Sequence, residues 1–322
     1  MKLGVFTVLF SKLGFERMLE EVRGLGLECI EVGAGAYPGN AHCDADALLS
    51  DASALSRYRR SVEQAGLFIS ALCCAGNPLH PNREIACAHR EDFRKSVLLA
   101  ERLDVPVVNV LSGCPGDSEN AHYPNWAAAA WPPDYPELLV WQWNHVAIPY
   151  WREAAAFAAS HGRKIAVEMH PGFLVYNPET ALRLRAAAGE NLGFNLDPSH
   201  LFWLGIDVPT AVHALNRDGG IFHVHAKDVF VDPRNVAVNG VLDSKPYTNL
   251  AERSWTFRTV GWGHGLETWR AIVSALRVTG YDYVLSIEHE DALASIEEGL
   301  GHAISFLRSC LLKAPKPEVW WT

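Results

Sequence analysis

Residues 164–200 read KIAVEMHPGFLVYNPETALRLRAAAGENLGFNLDPSH, and the fold turns on how they are read. The apolar run IAV ends on Glu168, a helical segment follows, and a second run, LGFNL, ends on Asp197. Asn177 stands as the N-cap of that helix, with Pro178 at its first position, where a missing N–H costs nothing. Two short apolar runs joined through a helix become neighbouring parallel strands whose C-terminal ends open on one face. Glu168 and Asp197 are therefore expected side by side at one rim. A carboxylate ending an apolar run must be paired or hold a metal, because a bare buried charge is costly. Taken singly, each is equally well read as an ion-paired or helix-capping group.

The same alternation extends in both directions. Toward the N-terminus, KLGVFTVL, CIEVGAG, FISALCCA and VPVVNVLSG read as strands, each followed by a helix. The helices expected there are GFERMLEEVRGLG, about Asp46 to Gly66, about Arg83 to Leu103, and NHVAIPYWREAAAFAASHG. The loop after strand three, GNPLHPN, carries His80. Toward the C-terminus come a helix from about Asp207, the strand IFHVHAKDV and a loop from about Phe230 to His264. The helix LETWRAIVSALRVTG, the strand YVLSIEHED and a helix from about Leu293 to Lys313 complete the pattern. An irregular tail, 314–322, ends in Trp320 and Trp321, which are expected to dock on the protein.

Eight strands alternating with eight helices in 322 residues predict an α/β fold, a single (β/α)8 TIM barrel spanning 1–322. The alternative, a doubly wound sheet, lacks a GxGxxG after the first strand. The alternation is broken once, by CPGDSENAHYPNWAAAAWPPDYPELLVWQW at about 114–143, a long aromatic-rich loop after strand four. Loops of this length in compact domains are usually lids or binding loops. Trp126, Trp131, Trp141 and Trp143 could stack on the apolar faces of sugar rings, and serve equally well as oligomer contacts or loop anchors.

Composition narrows the partners. Apolar residues make up 49% of the chain and the net charge is -9, with no Lys/Arg-rich run to track a nucleic-acid backbone. The N-terminal apolar run is short, lacks a small-residue cleavage site and reads as the first core strand rather than a signal peptide. No segment has the apolar length to span a bilayer. The seven cysteines are odd in number and lack paired CxxC spacing, which fits reduced, buried thiols in a cytoplasmic protein.

At the C-terminal ends of strands five to eight stand Glu168, Asp197, His223 or His225, and Glu288. Four consecutive strands thus each deliver a metal-ligating side chain to the rim where barrels of this kind keep their active sites. Three carboxylates and an imidazole form an oxygen-rich set, suited to Mn2+, Mg2+ or Co2+ more than to a structural Zn2+, and without a cation the acids would repel.

The ordered motifs VEMHPG, LDPSH, HVHAKD, GWGHG and IEHED resemble the xylose isomerase-like superfamily of (β/α)8 barrels, across nearly the whole chain. That superfamily includes sugar isomerases and epimerases, inosose dehydratase and endonuclease IV. From its ketose 3-epimerase branch the resemblance implies that Glu168, Asp197, His225 and Glu288 hold one divalent ion, Mn2+ being favoured and Mg2+, Co2+ or Zn2+ alternatives. It implies further that Glu168 and Glu288 are the acid/base pair, and that His200 polarises a substrate oxygen; the competing role for His200 is capping or support of a ligand. His223, two residues before His225, faces the same side one layer deeper, as a packed or supporting histidine. His170, Lys227, His80 and Trp126 are the candidate substrate contacts. Lys227 is otherwise an ion-pair partner of Asp228 or another neighbour, Glu290 is expected on the side of Glu288, and His264 is read as either a ligand contact or part of a tight turn.

With these groups, a metal on a carbonyl and the adjacent hydroxyl lets one glutamate take the α proton to give a cis-enediolate. Reprotonation gives an epimer or an isomer, and a leaving group at the β carbon would instead be expelled. The expected function is thus a metal-dependent sugar isomerase or epimerase. The runner-up is a lyase or dehydratase acting on a 3-keto-glycoside or inosose. Val231 stands where the epimerase branch carries an arginine, and Lys227-Asp228 is more like inosose dehydratase. An endonuclease IV-like nuclease is remote: Ser112-Gly113-Cys114-Pro115-Gly116 lacks the ligand histidine before Pro-Gly, and no Asp-x-His occurs in SWTFRTVGWGHG. The substrate is expected to be an unphosphorylated small carbohydrate, for want of a phosphate-binding glycine loop. The resemblance implies a homo-oligomer, with a partner subunit as an alternative.

Overall fold

Short runs of β-branched and other apolar residues generate the barrel. In the computed structural model, which describes residues 1–314 and 316–321, eight parallel strands close on one another. They are β1 (Lys2–Phe6), β2 (Cys29–Gly33), β3 (Phe68–Cys73), β4 (Val107–Leu111), β5 (Lys164–Glu168), β6 (Leu192–Leu196), β7 (Ile221–Ala226) and β10 (Val284–Ile287). Around the barrel they run β1-β10-β7-β6-β5-β4-β3-β2. Between β7 and β10 lies a separate antiparallel pair, β8 (Asp228–Val231) and β9 (Trp255–Arg258).

Besides α1 (Phe15–Gly24), which has no side-chain cap, many helices, including α4 (Arg83–Leu103) and α9 (Val208–Leu215), begin where a short polar side chain satisfies a free backbone N–H group. Asp44 caps α2 (Ala45–Ser50) and Asp51 caps α3 (Ala52–Gln64), so the one helix expected across this region is two. Asn177 caps α7 (Pro178–Ala188) through a reciprocal box with Thr180, as expected. The helix before β5 is extended at its start: α5 (Asp134–Trp141) passes through a π turn at Gln142–Ala147 into α6 (Ile148–Ser160). Gln142, wholly buried, donates to Asn125 O (2.8 Å) and Gly116 O (3.0 Å) and so ties the segment after β4 to this turn.

Two layers of apolar side chains hold the structure. The larger packs the helices on the outside of the strands, with Trp143, Trp151 and Trp269 among its largest wholly buried members. A small cluster of Ala71, Val107, Ala166 and Phe222 is separate from it. Val107 and Ala166 precede Asn109 and Glu168 by two residues, so they lie on the same strand face one layer nearer the barrel's N-terminal end. The tail does not dock as expected: Trp320 and Trp321 are exposed and touch each other, because Arg277 fixes the chain only as far as Ala314. Pro315 and Thr322 of that tail lie outside the described residues. All seven cysteines are free, six buried and Cys87 exposed, and among the described residues no helix is long and apolar enough to cross a membrane.

Candidate active site

The rim at the C-terminal ends of β5, β6, β7 and β10 gathers the expected carboxylates and histidine. Glu168 is the last residue of β5, His225 lies in β7, and Glu288 follows β10 directly. Asp197 follows β6 and caps the short helix α8 (Pro198–Trp203): its Oδ1 accepts from Ser199 N at 2.8 Å, which leaves Oδ2 buried without a partner. His225 Nδ1 is 3.2 Å from Glu168 Oε2 and 2.9 Å from Glu288 Oε2. Donor atoms of Asp197, His225 and Glu288 lie within 4.8 Å of one another, as do those of Glu168, Asp197 and His200.

The charges here are strongly coupled. Burial pushes the Asp197 carboxyl up to about 8; nearby Lys227 opposes the rise, and Glu168 and Glu288 add to it. Burial also works against ionisation of Glu168, but His225 and His200 overcome it and hold this carboxyl well below its ordinary value. Glu288, likewise buried, is drawn down to about 2 by Lys227 and His225. His225 stays protonated well above the ordinary histidine range because Glu31, Glu288 and Glu168 outweigh its burial. His200 is pushed down to about 3 by burial and by His170, so it is neutral at pH 7, with Nε2 3.4 Å from both Glu168 and Asp197.

Of the candidate substrate contacts, three reach this place. Trp126, His170, His200, Tyr247, Trp255 and Phe257 help to line a cleft of about 480 Å3, and His170 packs on His200 at 4.1 Å between ring centres. Lys227 is buried, 3.1 Å from Glu288 and 2.5 Å from Glu290, over the face of Phe257. It does not pair with Asp228, which instead accepts from His264 Nδ1 (2.7 Å), Trp269 Nε1 and three backbone amides. His264, stacked on Phe202, is thus part of a tight turn. His80 stands apart: its Nδ1 accepts from Asn82 N, and among the described residues no hydrogen bond, ion pair or ring contact joins it to the rim carboxylates. Trp131 is exposed, and Trp143 is buried in the core under Arg183.

Two contributions escaped the sequence reading. The segment read as a loop from about Phe230 contains β8, a helix α10 (Pro233–Asn239) and β9, and it supplies Tyr247, Trp255 and Phe257 to the cleft. Glu31, in β2, is wholly buried with Oε2 2.9 Å from His225 Nε2. A charged residue at the centre of the apolar strand CIEVG was the available signal.

A closed eight-stranded parallel barrel gathers these acids and a histidine at the strand ends, the face where barrels of this fold keep their active sites. The chain belongs to the xylose isomerase-like TIM barrel family, which it matches over residues 19–310. It is 37% identical over 314 residues to the uncharacterised protein YfiH of Bacillus subtilis (strain 168), covering 97% of this chain and 99% of that one. Its fold is similar to that of the probable 3-DHS dehydratase AsbF involved in petrobactin synthesis from Bacillus anthracis (TM-score 0.67, 17% identity, 96% and 99% of the two chains). The same holds for D-psicose 3-epimerase, solved in the presence of D-fructose (TM-score 0.59, 15% identity, 96% and 98%).

Proposed function

We propose that this chain is a divalent-metal-dependent sugar isomerase or epimerase that removes a proton next to the carbonyl of a ketose or keto-sugar derivative. The observation that carries the reading is the meeting of Glu168, Asp197, His225 and Glu288 at the barrel mouth, with Asp197 Oδ2 buried and without a hydrogen-bond partner. An orphaned buried carboxylate oxygen beside an imidazole is what a cation would satisfy, and the oxygen-rich set suits Mn2+, with Mg2+, Co2+ or Zn2+ as alternatives. Bound there, such an ion would draw charge from a carbonyl and its neighbouring hydroxyl and make the α proton more acidic.

The protein's own groups do the rest. Glu168 and Glu288 approach His225 from opposite sides in the strand order, so a sugar carbon between them can lose its proton to one and regain it from the other. Lys227 holds Glu288 ionised. His200, neutral, can donate a hydrogen bond to a substrate oxygen without adding charge. Trp126, Phe257 and His170 offer apolar faces for the sugar ring.

The test is solvent exchange followed by NMR: Mn2+-loaded protein and a chelated control in D2O with ketoses, inososes and 3-keto-glycosides, the paramagnetic ion being removed before spectra are recorded. Metal-dependent deuterium entry beside the carbonyl is expected, reduced by about 100-fold or more in Glu168→Gln and Glu288→Gln. An eliminated product would move the chain to the lyases of the same family. No exchange across the panel, in protein shown to hold one ion, would sink the proton-abstraction reading.

A further inference from the structure

We infer that Glu31 is a positioning residue for the proposed metal site: it takes the Nε2–H of His225 and thereby turns Nδ1 toward the ion. The inference rests on the metal reading above. In the strand order β1 and β10 stand between β2 and β7, so the contact from Glu31 to His225 crosses the barrel interior. Glu31 Oε1 and Oε2 lie 3.0 and 2.9 Å from Nε2, whereas Nδ1 faces Glu168 and Glu288. The two nitrogens of one ring therefore have separate duties.

Glu31 is itself held. It accepts from Asn109 Nδ2 at 2.8 Å and from Ser286 Oγ at 2.8 Å, and both donors are buried. The ring it holds is also steadied by Phe6, stacked at 5.8 Å and 19°. A histidine that ligates a metal commonly gives its other N–H to a carboxylate, which fixes tautomer and orientation. Glu31, His223 and His225 are close enough to suggest a cation site of their own. Yet Glu31 already has three donors, and His223 is engaged at Nε2 by Ser70 and at Nδ1 by Asn109 and Asn195. That triad is hydrogen-bonded through, which favours the positioning role.

Two measurements test the inference. In protein labelled with nitrogen-15 at histidine and loaded with diamagnetic Zn2+, the His225 shifts should show Nε2 carrying the proton and Nδ1 bound to the ion. In calorimetric titration of metal-free protein with Zn2+, Glu31→Gln should raise Kd about 10–100-fold. In a His225→Ala background the same change should add less than about threefold, because two residues that act through one contact are not additive. Nε2 bound to zinc, wild-type affinity in Glu31→Gln, or an undiminished effect without His225 would each overturn the inference while leaving the metal site standing. Should wild-type protein bind neither Zn2+ nor Mn2+, the metal reading falls and this inference with it. Glutamine keeps an acceptor for His225 and Asn109 and can donate to Ser286, so the fold should survive; if it does not, the wild-type nitrogen shifts decide.

Discussion

His223 is a titratable side chain used as packing. Wholly buried among Ser70, Asn109 and Asn195, it is pushed down to about 4 by burial, Glu31 acting in the opposite sense. An unfolded chain takes up a proton at this histidine near pH 6.5 and the native protein does not, so between pH 6.5 and 4 acidification favours the unfolded state. In urea denaturation the stability advantage of wild type over His223→Gln should shrink as pH falls from 7 to 5. An advantage independent of pH would mean that His223 does not stay neutral in the fold. His225, two residues on and one layer nearer the mouth, has the opposite shift because Glu31, Glu288 and Glu168 on its two ring edges outweigh its burial. This is also where the sequence spoke unevenly. Glu168, Asp197 and Glu288 were legible because each follows an apolar run at a strand end, where a barrel opens. Glu31 lies mid-strand, and its apolar neighbours hide which face it takes: both faces of a barrel strand are buried, so alternation carries no sign of inside or outside.

Among the elements, the segment between β7 and β10 does the most that sequence alone did not foretell. Its strands are four residues each, too short for a periodic pattern to register, and the stretch between them carries Asn235, Asn239, Asn249, Asp232 and Asp243. It is anchored by Asp228, the first residue of β8, whose carboxylate gathers donors from Val229, Gly261, His264 and Trp269. The backbone must come close for this. A Cβ on Gly263 would stand 2.3 Å from Val229 O and 2.6 Å from Asp228 Oδ1, so glycine is required there. Asp228→Ala strips the acceptor from several buried donors, each costing about 1–3 kcal/mol when unsatisfied. A loss of about 3 kcal/mol or more is expected from urea denaturation, and a change under about 1 kcal/mol would show that the anchor is dispensable. Tyr247 is 56% exposed and lines the cleft from this same segment, so Tyr247→Ala should leave the denaturation midpoint nearly unchanged. If this segment forms the substrate wall, that variant should raise KM several-fold with little change in kcat; an unchanged KM would remove Tyr247 from the wall.

At the scale of the molecule, the barrel is apolar toward its N-terminal end and increasingly polar toward the mouth, where Glu31, Glu168, Asp197 and Glu288 share the interior with His225 and Lys227. Lys227 and the protonated His225 lie among these acids and offset their charge. His225 carries a proton on each ring nitrogen, and Asp197, raised to about 8 by burial and its acidic neighbours, keeps one at pH 7. An ion bound by Nδ1 of His225 and by Asp197 must displace both, since ligands bind metal in their deprotonated forms. Metal titrations at pH 7 in buffers of differing ionisation enthalpy should therefore show about two protons released per ion. As the pH rises through the range in which Asp197 titrates, about 8, the release should fall, because that carboxyl is then already ionised in the free protein. Asp197→Asn should show about one proton at pH 7 if it still binds. Release near zero in wild type at pH 7 would mean that the cluster is ionised without its metal, and that Lys227 alone balances the acids.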